Sequence, residues 1–431
     1  MRACVIGAGS SGIAACQVLA ARDIPFDCFE KGSGVGGNWR FGNDNGMSAA
    51  YKSLHINTHR DLNTYQSFAM PSKYADFPHH TEMAEYFDTF VDHFGLRERI
   101  EFNTEVTSVE RAVDGRWEVS TEAGGIRTYD AVLVANGHHW NPKWPDFPGE
   151  FDGHVEHAHD YRSPSGYEDK DVLVVGFGNS AVDIAVETSR VSRMTYLSVR
   201  RGAHVVPKYI LGEPVTKPPT GLFAKLPQLV QVAIYRRLIT RMTGPMERYG
   251  LPKPDHKLGQ AHPTISNELL GRIGHGRIRP RPNVKRLEGD HVRFADETTQ
   301  HIDAIVYATG YRITFPFLSG DLVPVRENRV GLYRKVVHPD LTGLFFIGLV
   351  QPLGALPPLA EAQAEWVADV LEERCALPDR ASMHESIAAD RRAMEKRYVD
   401  STRHTIQVDY FPYLREIGRE RKRTRPATRT Q

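Results

Sequence analysis

Ala3-Cys4-Val5-Ile6-Gly7-Ala8-Gly9-Ser10-Ser11-Gly12-Ile13 stands at the head of the chain, and its reading decides the fold. The apolar residues Ala3 to Ile6 suit a buried strand. Gly7 to Gly12 fits GxGxxG, in which glycines permit a tight turn and close backbone approach while the N-terminus of the next helix receives a pyrophosphate. Ile13 to Arg22 reads as that helix, with small residues on one face, and Pro25 to Phe29 as the next strand, completing a βαβ unit. Glu30 follows, 18 residues after Gly12, where an acidic side chain can hydrogen-bond a ribose hydroxyl. The glycines alone would fit a packing turn; the strand, helix and acid around them point to a dinucleotide site.

The same grammar returns at Asp171. Val172 to Val175 is a continuous apolar strand, Gly176-Phe177-Gly178-Asn179-Ser180-Ala181 the turn, Val182 to Ser189 a helix and Met194 to Val199 the next strand. Ala181 fills the third small-residue slot that the fingerprint allows. Arg200 and Arg201 follow this strand instead of an acid, and a 2′-phosphate needs such bidentate-capable cations, so this site is expected to prefer NADPH to NADH. A merely solvated arginine pair is the alternative. Two nucleotide sites in one chain imply electron transfer between cofactors, which makes FAD the expected occupant of the N-terminal site.

Between and after these turns lie a helix-like stretch (Met83 to His93) and three alternating strands (Val106 to Val109, Trp117 to Ser120, Ile126 to Tyr129). Two apolar runs end in glycine, Ala131 to Gly137 and Asp303 to Gly310. Apolar strands resume at Leu344 to Gly348, followed by a helix around Glu361 to Leu371, so the second unit interrupts the first. The expected fold is α/β with two Rossmann-like dinucleotide-binding domains in a glutathione-reductase-like arrangement. Residues 1–165 and 301–431 would form the FAD domain, and 166–300 an inserted NADPH domain. Its segment from Tyr209 to His275 breaks the pattern as a substrate-side insertion. Within it, the amphipathic stretch Leu222 to Met242 is expected to pack its apolar face on the protein, with a membrane surface or a substrate path as alternatives.

Composition narrows the function. At 431 residues, with 41% hydrophobic and 25% charged, the chain is an ordinary globular protein of two or three domains. With 54 Lys+Arg against 53 Asp+Glu, no global field recruits a polyanion, so nucleic acid is not an expected partner. The locally basic tail, Arg415 to Gln431 with Arg419, Arg421, Lys422, Arg423 and Arg425, is expected to be solvated and frayed. Cys4, Cys16, Cys28 and Cys375 form no CxxC pair, which excludes a zinc knuckle or dithiol motif and suggests a cytoplasmic protein with free thiols. Electrons therefore cannot leave through a dithiol, and oxygen or a small acceptor is the expected sink. The first residues enter a strand at once, so no leader is expected. No window approaches the roughly 18 apolar residues of a membrane span. His154, His157 and His159 lie close together, but no carboxylate or cysteine cluster completes their spacing, so no metal is expected. No GxSxG elbow is present.

Phe151-Asp152-Gly153-His154-Val155-Glu156-His157-Ala158-His159-Asp160-Tyr161 matches FxGxxxHxxxY between the two turns. With Gly36-Gly37-Asn38-Trp39, Tyr51-Lys52-Ser53-Leu54-His55-Ile56-Asn57-Thr58, Ala308-Thr309-Gly310-Tyr311 and Gln351-Pro352-Leu353-Gly354-Ala355, the chain closely resembles the flavin-containing monooxygenases over nearly its whole length. No counterpart of the hydrophobic C-terminal anchor of the animal enzymes is read in these residues, so membrane attachment is not expected. The related Baeyer-Villiger enzymes carry Trp where this chain has Tyr161, which favours the branch that oxidises amines and sulfides. The resemblance implies that NADPH reduces FAD and that oxygen adds at the flavin C4a position. The resulting hydroperoxide then oxygenates a soft nitrogen or sulfur nucleophile while NADP⁺ stays bound. Ketone oxidation, or a non-oxygenating NADPH/FAD sensor or carrier, are the alternatives.

By match to Tyr-x-x-Leu-x-x-Asn, Asn57 would hydrogen-bond near the flavin and NADP⁺ and keep the peroxide from collapsing; a turn-forming Asn is the alternative. The expected FAD residues are Gly7, Ala8, Gly9, Ser10, Ser11, Gly12, Glu30, Lys31, Asn38, Trp39, Asn57, Thr58, Val106 and Gln351. Those on the NADPH side are Ile56, Phe177, Gly178, Asn179, Ser180, Arg200, Arg201, Thr309 and Gly310. Oxygen and a small nucleophilic organic molecule are the expected partners, and a homodimer is left open.

Overall fold

Both apolar runs that flank a glycine turn become the centre of a parallel sheet. The structure, a computed structural model, describes residues 1–217, 226–397 and 405–424. The chain divides into two compact units, Met1–Ser48 with Arg60–Asn141 and Arg312–Gln431, and Ala49–His59 with Pro142–Tyr311.

In the first unit, five parallel strands run in the order Leu344–Phe346, Ala131–Val134, Ala3–Ile6, Phe26–Phe29, Ile100–Glu101. Ala3 to Ile6 and Ala131 to Val134 are buried on both faces, which explains why their sequences are continuous apolar runs instead of alternating ones. Helix Ser10–Ala21 packs beside helix Pro357–Leu371. Their contact is closed by Arg22, whose guanidinium reaches Asp369 and Glu372 at 2.7 Å each and also pairs with Glu365. An antiparallel sheet of Val106–Arg111, Trp117–Thr121 and Ile126–Tyr129 covers one face, with Trp117 and Val119 in the core.

The second unit repeats the plan. Its parallel strands run Ile278–Arg281, Met194–Ser198, Asp171–Val175, Ala304–Tyr307, His154–His157, and Val284–Glu288, His291–Phe294 and Thr299–His301 form its antiparallel sheet. The unit borders therefore fall after Asn141 and Tyr311 instead of at 165 and 300. The physical reason is strand pairing: His154 to His157 forms the sheet edge beside Ala304 to Tyr307, which draws the linker and the 301–311 run into this unit.

Two sequence expectations are corrected. The helix in the insertion spans Gln228–Thr243, and residues 222–225 of the expected stretch lie outside the described residues. Its apolar side does not all pack: Ile239 is buried with Val206, Ile210 and Ile265, whereas Val230, Val232, Ile234 and Met242 are exposed. The stripe Tyr235, Leu238 and Ile239 faces the protein, and its spacing leaves the other apolar residues on the far side. The basic tail is not frayed as far as it is described. Tyr410–Glu420 is a helix that buries Tyr413 and Ile417, and Arg421 pairs with Asp369 at 2.6 Å. Residues 425–431, including Arg425, lie outside the described residues.

Candidate active site

The three glycines of the first turn do different work. Gly7 has φ +99°, and a Cβ there would stand 2.8 Å from the Ala135 carbonyl oxygen. A Cβ on Gly12 would overlap the Gly7 carbonyl, so this glycine lets the helix close onto its own turn. Gly9 is under neither constraint: its φ of −71° suits any residue, and the nearest atom to a Cβ would be Gly37 Cα at 3.7 Å. The protein itself demands two glycines and leaves the third open, which is where a ligand backbone would approach. Gly9 caps helix Ser10–Ala21 without a side-chain hydrogen bond, and the first turn holds no acid, so its N–H groups and dipole are disposed toward an anion.

Glu30 is 4% exposed and its carboxylate is already engaged. Oε2 accepts from Ala8 N at 2.7 Å, and Oε1 from Gly32 N at 2.9 Å and Asn45 Nδ2 at 3.0 Å. A carboxylate offers about four lone-pair positions, which leaves one on Oε2 for a ribose hydroxyl. The turn and the acid thus fit the adenosine and pyrophosphate of FAD. Asn38 and Trp39 lie in the short helical turn Gly37–Trp39, brought beside the glycines by Gly36 N donating to Ala8 O at 3.0 Å. Lys31 pairs with Glu105 at 3.0 Å, next to buried Val106. Gln351 begins a strand paired with Gln407–Asp409.

Three residues in this neighbourhood escaped the sequence reading. Gly348 packs so tightly on Ser11 that a Cβ would overlap its Oγ, Tyr65 donates to Ser10 O at 2.5 Å, and Asn45 fixes Glu30. All are distant in sequence from the turn or the acid they touch, so spacing could not reveal them.

The second turn repeats the first in atomic detail. Gly176 has φ +134°, and its Cβ would meet Ala308 O at 2.5 Å, as Gly7 meets Ala135. Helix Asn179–Thr188 starts from Gly178, again without a side-chain cap or an acid in its first turn. Phe177 is held through its carbonyl by Thr264 Oγ1 at 2.6 Å, and Asn179 Oδ1 accepts from Ile265 N at 2.8 Å. Ser180 is exposed. Thr309 donates to Lys143 O at 2.5 Å, and Gly310 takes φ +85° beside the turn. Arg200 is exposed and has no partner among the described residues, whereas Arg201 is bound to Asp255 at 2.6 Å. The pair is therefore unequal. A cation poised beside the dinucleotide turn fits the 2′-phosphate of NADPH.

Ile56, Asn57 and Thr58 belong to the second unit through segment Ala49–His59, although Asn57 and Thr58 were expected on FAD. Ile56 is buried; Asn57 is half-buried and its carboxamide has no partner among the described residues. A turn-forming Asn would bond its own backbone, which this side chain does not do. Upstream, Tyr51 donates to Asp183 Oδ2 at 2.5 Å. Burial raises the Asp183 carboxyl to about 6, against the Tyr51 hydrogen bond and the Lys208 charge, which lower it. Tyr161 of the fingerprint donates to Glu187 Oε2 at 2.9 Å.

The histidines divide. His157 is fully buried, accepts from His159 N at 3.0 Å, and is driven down to about 4 by burial, so it is neutral at physiological pH. His154 is exposed beside Glu156. Asp171, His301 and Asp303 could converge on a cation, but Arg193 pairs with both carboxylates, at 3.0 and 2.8 Å, and supplies that charge.

Two glycine turns, each closed by the strand beside it, one fitting FAD and one fitting NADPH, define a two-dinucleotide flavoprotein. The family described as flavin-binding monooxygenase-like matches residues 1–427. Flavin-containing monooxygenase 5 of Oryctolagus cuniculus is 37% identical over 97% of this chain and 82% of its own length. Dimethylaniline monooxygenase [N-oxide-forming] 2 of the same species is 34% identical over 96% and 82%. Among solved structures, the S-allyl-L-cysteine S-oxygenase of Allium sativum superposes with a TM-score of 0.74 at 25% identity, covering 99% of this chain and 90% of that one. The chain belongs to the flavin-binding monooxygenase-like family; it is an NADPH- and oxygen-dependent flavin monooxygenase with FAD as its flavin. Among the described residues, no helix is long and apolar enough to cross a membrane.

Proposed function

We propose that this monooxygenase transfers one oxygen atom to soft nitrogen and sulfur nucleophiles, giving N-oxides and S-oxides. NADPH, a proton, oxygen and substrate become NADP⁺, water and oxygenated substrate. The observation that carries the reading is the unpartnered Asn57 carboxamide in a chain with two turns fitted to FAD and NADPH. The N-oxide-forming and S-oxygenase relatives, and Tyr161 in the fingerprint, support the heteroatom class.

Bound FAD and NADPH supply hydride transfer and oxygen activation. The chain's own residues bind, orient and shield. The amides after Gly9 and after Gly178 would hold the two pyrophosphates, and the free lone pair of Glu30 would take a ribose hydroxyl. We assign Lys31, Asn38, Trp39, Thr58, Val106 and Gln351 to the surroundings of FAD, and Ile56, Thr309 and Gly310 to those of NADPH. We assign Asn57 the role of the donor that would keep activated oxygen for the substrate. The test follows NADPH loss with amines, thioethers and ketones while product is quantified. Oxide formed in step with NADPH supports the reading; ester from ketones alone would replace it with Baeyer-Villiger oxidation.

The unequal arginines give a sharper expectation. Arg200→Ala should raise the NADPH Michaelis constant roughly tenfold to a hundredfold, the range of a charge-assisted contact, and leave NADH nearly unchanged. Arg201→Ala should do less, because its guanidinium is already bound to Asp255. An equal rise with both nucleotides would remove the 2′-phosphate from the assignment.

A further inference from the structure

Helix Asn179–Thr188 carries two acids one turn apart, and each ends on a tyrosine from a distant segment. Asp183 receives the Tyr51 hydroxyl at 2.5 Å and Glu187 the Tyr161 hydroxyl at 2.9 Å. The two rings meet edge to face with centroids 6.1 Å apart, and Lys52 N donates to Arg162 O at 2.8 Å, so the two tyrosine-bearing segments are also joined through their backbones. Tyr51 is 3% exposed and Tyr161 fully buried. An apolar pair would fill this volume without desolvating a carboxylate. What the acids add is direction, because a hydrogen bond fixes where each tyrosine, and the chain attached to it, must sit.

We propose that Asp183 is a positioning residue: through Tyr51, the helix that begins at the NADP⁺-side turn sets the placement of Asn57, six residues further along. The proposal rests on the role given to Asn57 above. One rigid element then holds both the dinucleotide turn and the Asn57 donor, so the donor is in place whenever the nucleotide is. The groups facing Asp183 are Tyr51, Lys208 and Glu268 from other elements and Glu187 from its own helix. Protonation of Asp183 as pH falls through about 6 turns a charge-assisted bond into a neutral, weaker one, so the bracket loosens on the acid side.

The test compares Tyr51→Phe, Asp183→Ala and Asp183→Asn in the holoenzyme. Deuterium uptake of peptides covering 49–59 is read together with NADPH consumed, peroxide released and oxide formed between pH 5 and 8. Tyr51→Phe and Asp183→Ala should raise uptake in 49–59 and increase the ratio of peroxide to oxide about tenfold, the scale of one lost hydrogen bond to a charged group. The NADPH Michaelis constant should stay within about twofold, because the turn itself is untouched. Asp183→Asn keeps an acceptor oxygen but, like protonated Asp183, offers only a neutral bond, so uptake and coupling should fall between those of the parent and Asp183→Ala, with no further rise in peroxide below pH 6. Unchanged uptake in the first two variants overturns the proposal, as does Asp183→Asn behaving like Asp183→Ala. Raised uptake with unchanged coupling also overturns it. If Asn57→Ala leaves coupling intact in the same assay, the role of Asn57 fails separately, and uptake of 49–59 still decides whether Asp183 positions the segment.

Discussion

Asn57→Ala is expected to go on oxidising NADPH while its electrons appear as hydrogen peroxide instead of oxygenated product. The side chain is half-buried and its carboxamide is spent on no other residue among those described, so its donor is available to cofactors. Hydride transfer from NADPH to bound FAD would need no such donor. Removing one positioned donor from a water-poor site costs about 2.7–4 kcal/mol, so the yield of oxide per NADPH should fall by roughly a hundredfold to a thousandfold. NADPH, peroxide and product measured in one assay decide it. Unchanged coupling would return Asn57 to a structural part; bound FAD, checked by its visible absorbance, must match the parent for the comparison to count.

The second large effect separates two glycines three residues apart. Gly9→Ala places a methyl where the protein has room, 3.7 Å from Gly37 Cα and at a φ of −71° that alanine accepts. The apoprotein should therefore fold with nearly the parent's melting temperature. The methyl stands where a pyrophosphate must approach the backbone, and FAD affinity should drop on the order of a hundredfold. Gly12→Ala instead drives a methyl into the Gly7 carbonyl. Overpacking of that kind costs about 1–3 kcal/mol or more, so this variant should lose stability before any cofactor is added. Flavin content and apoprotein melting, measured side by side, should split the pair. If both variants keep FAD, or both fail to fold, the division of labour among the glycines is wrong.

The same comparison shows what spacing can and cannot carry. Both turns were legible because a dinucleotide site is a local object: strand, glycines and helix follow each other within about a dozen residues, and chain geometry leaves few alternatives. Glu30 was legible by its distance from Gly12, but its three donors, one of them Asn45, were not. Arg200 and Arg201 were read as a matched pair, and Asp255, 54 residues further along, makes them unequal. The tail misled for a related reason. Its charges dominate the sequence, while the amphipathic spacing of Tyr410, Tyr413 and Ile417 buries one side of the helix and leaves Arg421 to pair with Asp369.

The sequence by itself determined the two parallel sheets, the insertion of one unit into the other and the two glycine turns that open a helix, because each follows from backbone sterics and hydrophobic period over short stretches. Tertiary structure decided where the units end, which glycine of the first turn has room for a Cβ, which of the two arginines is paired, and that segment 49–59 is fastened by Tyr51 to Asp183. Those outcomes depend on the meeting of groups far apart in the chain, such as Tyr51 and Asp183 or Gly348 and Ser11. Such meetings are set by how whole sheets and helices pack, which no local pattern encodes.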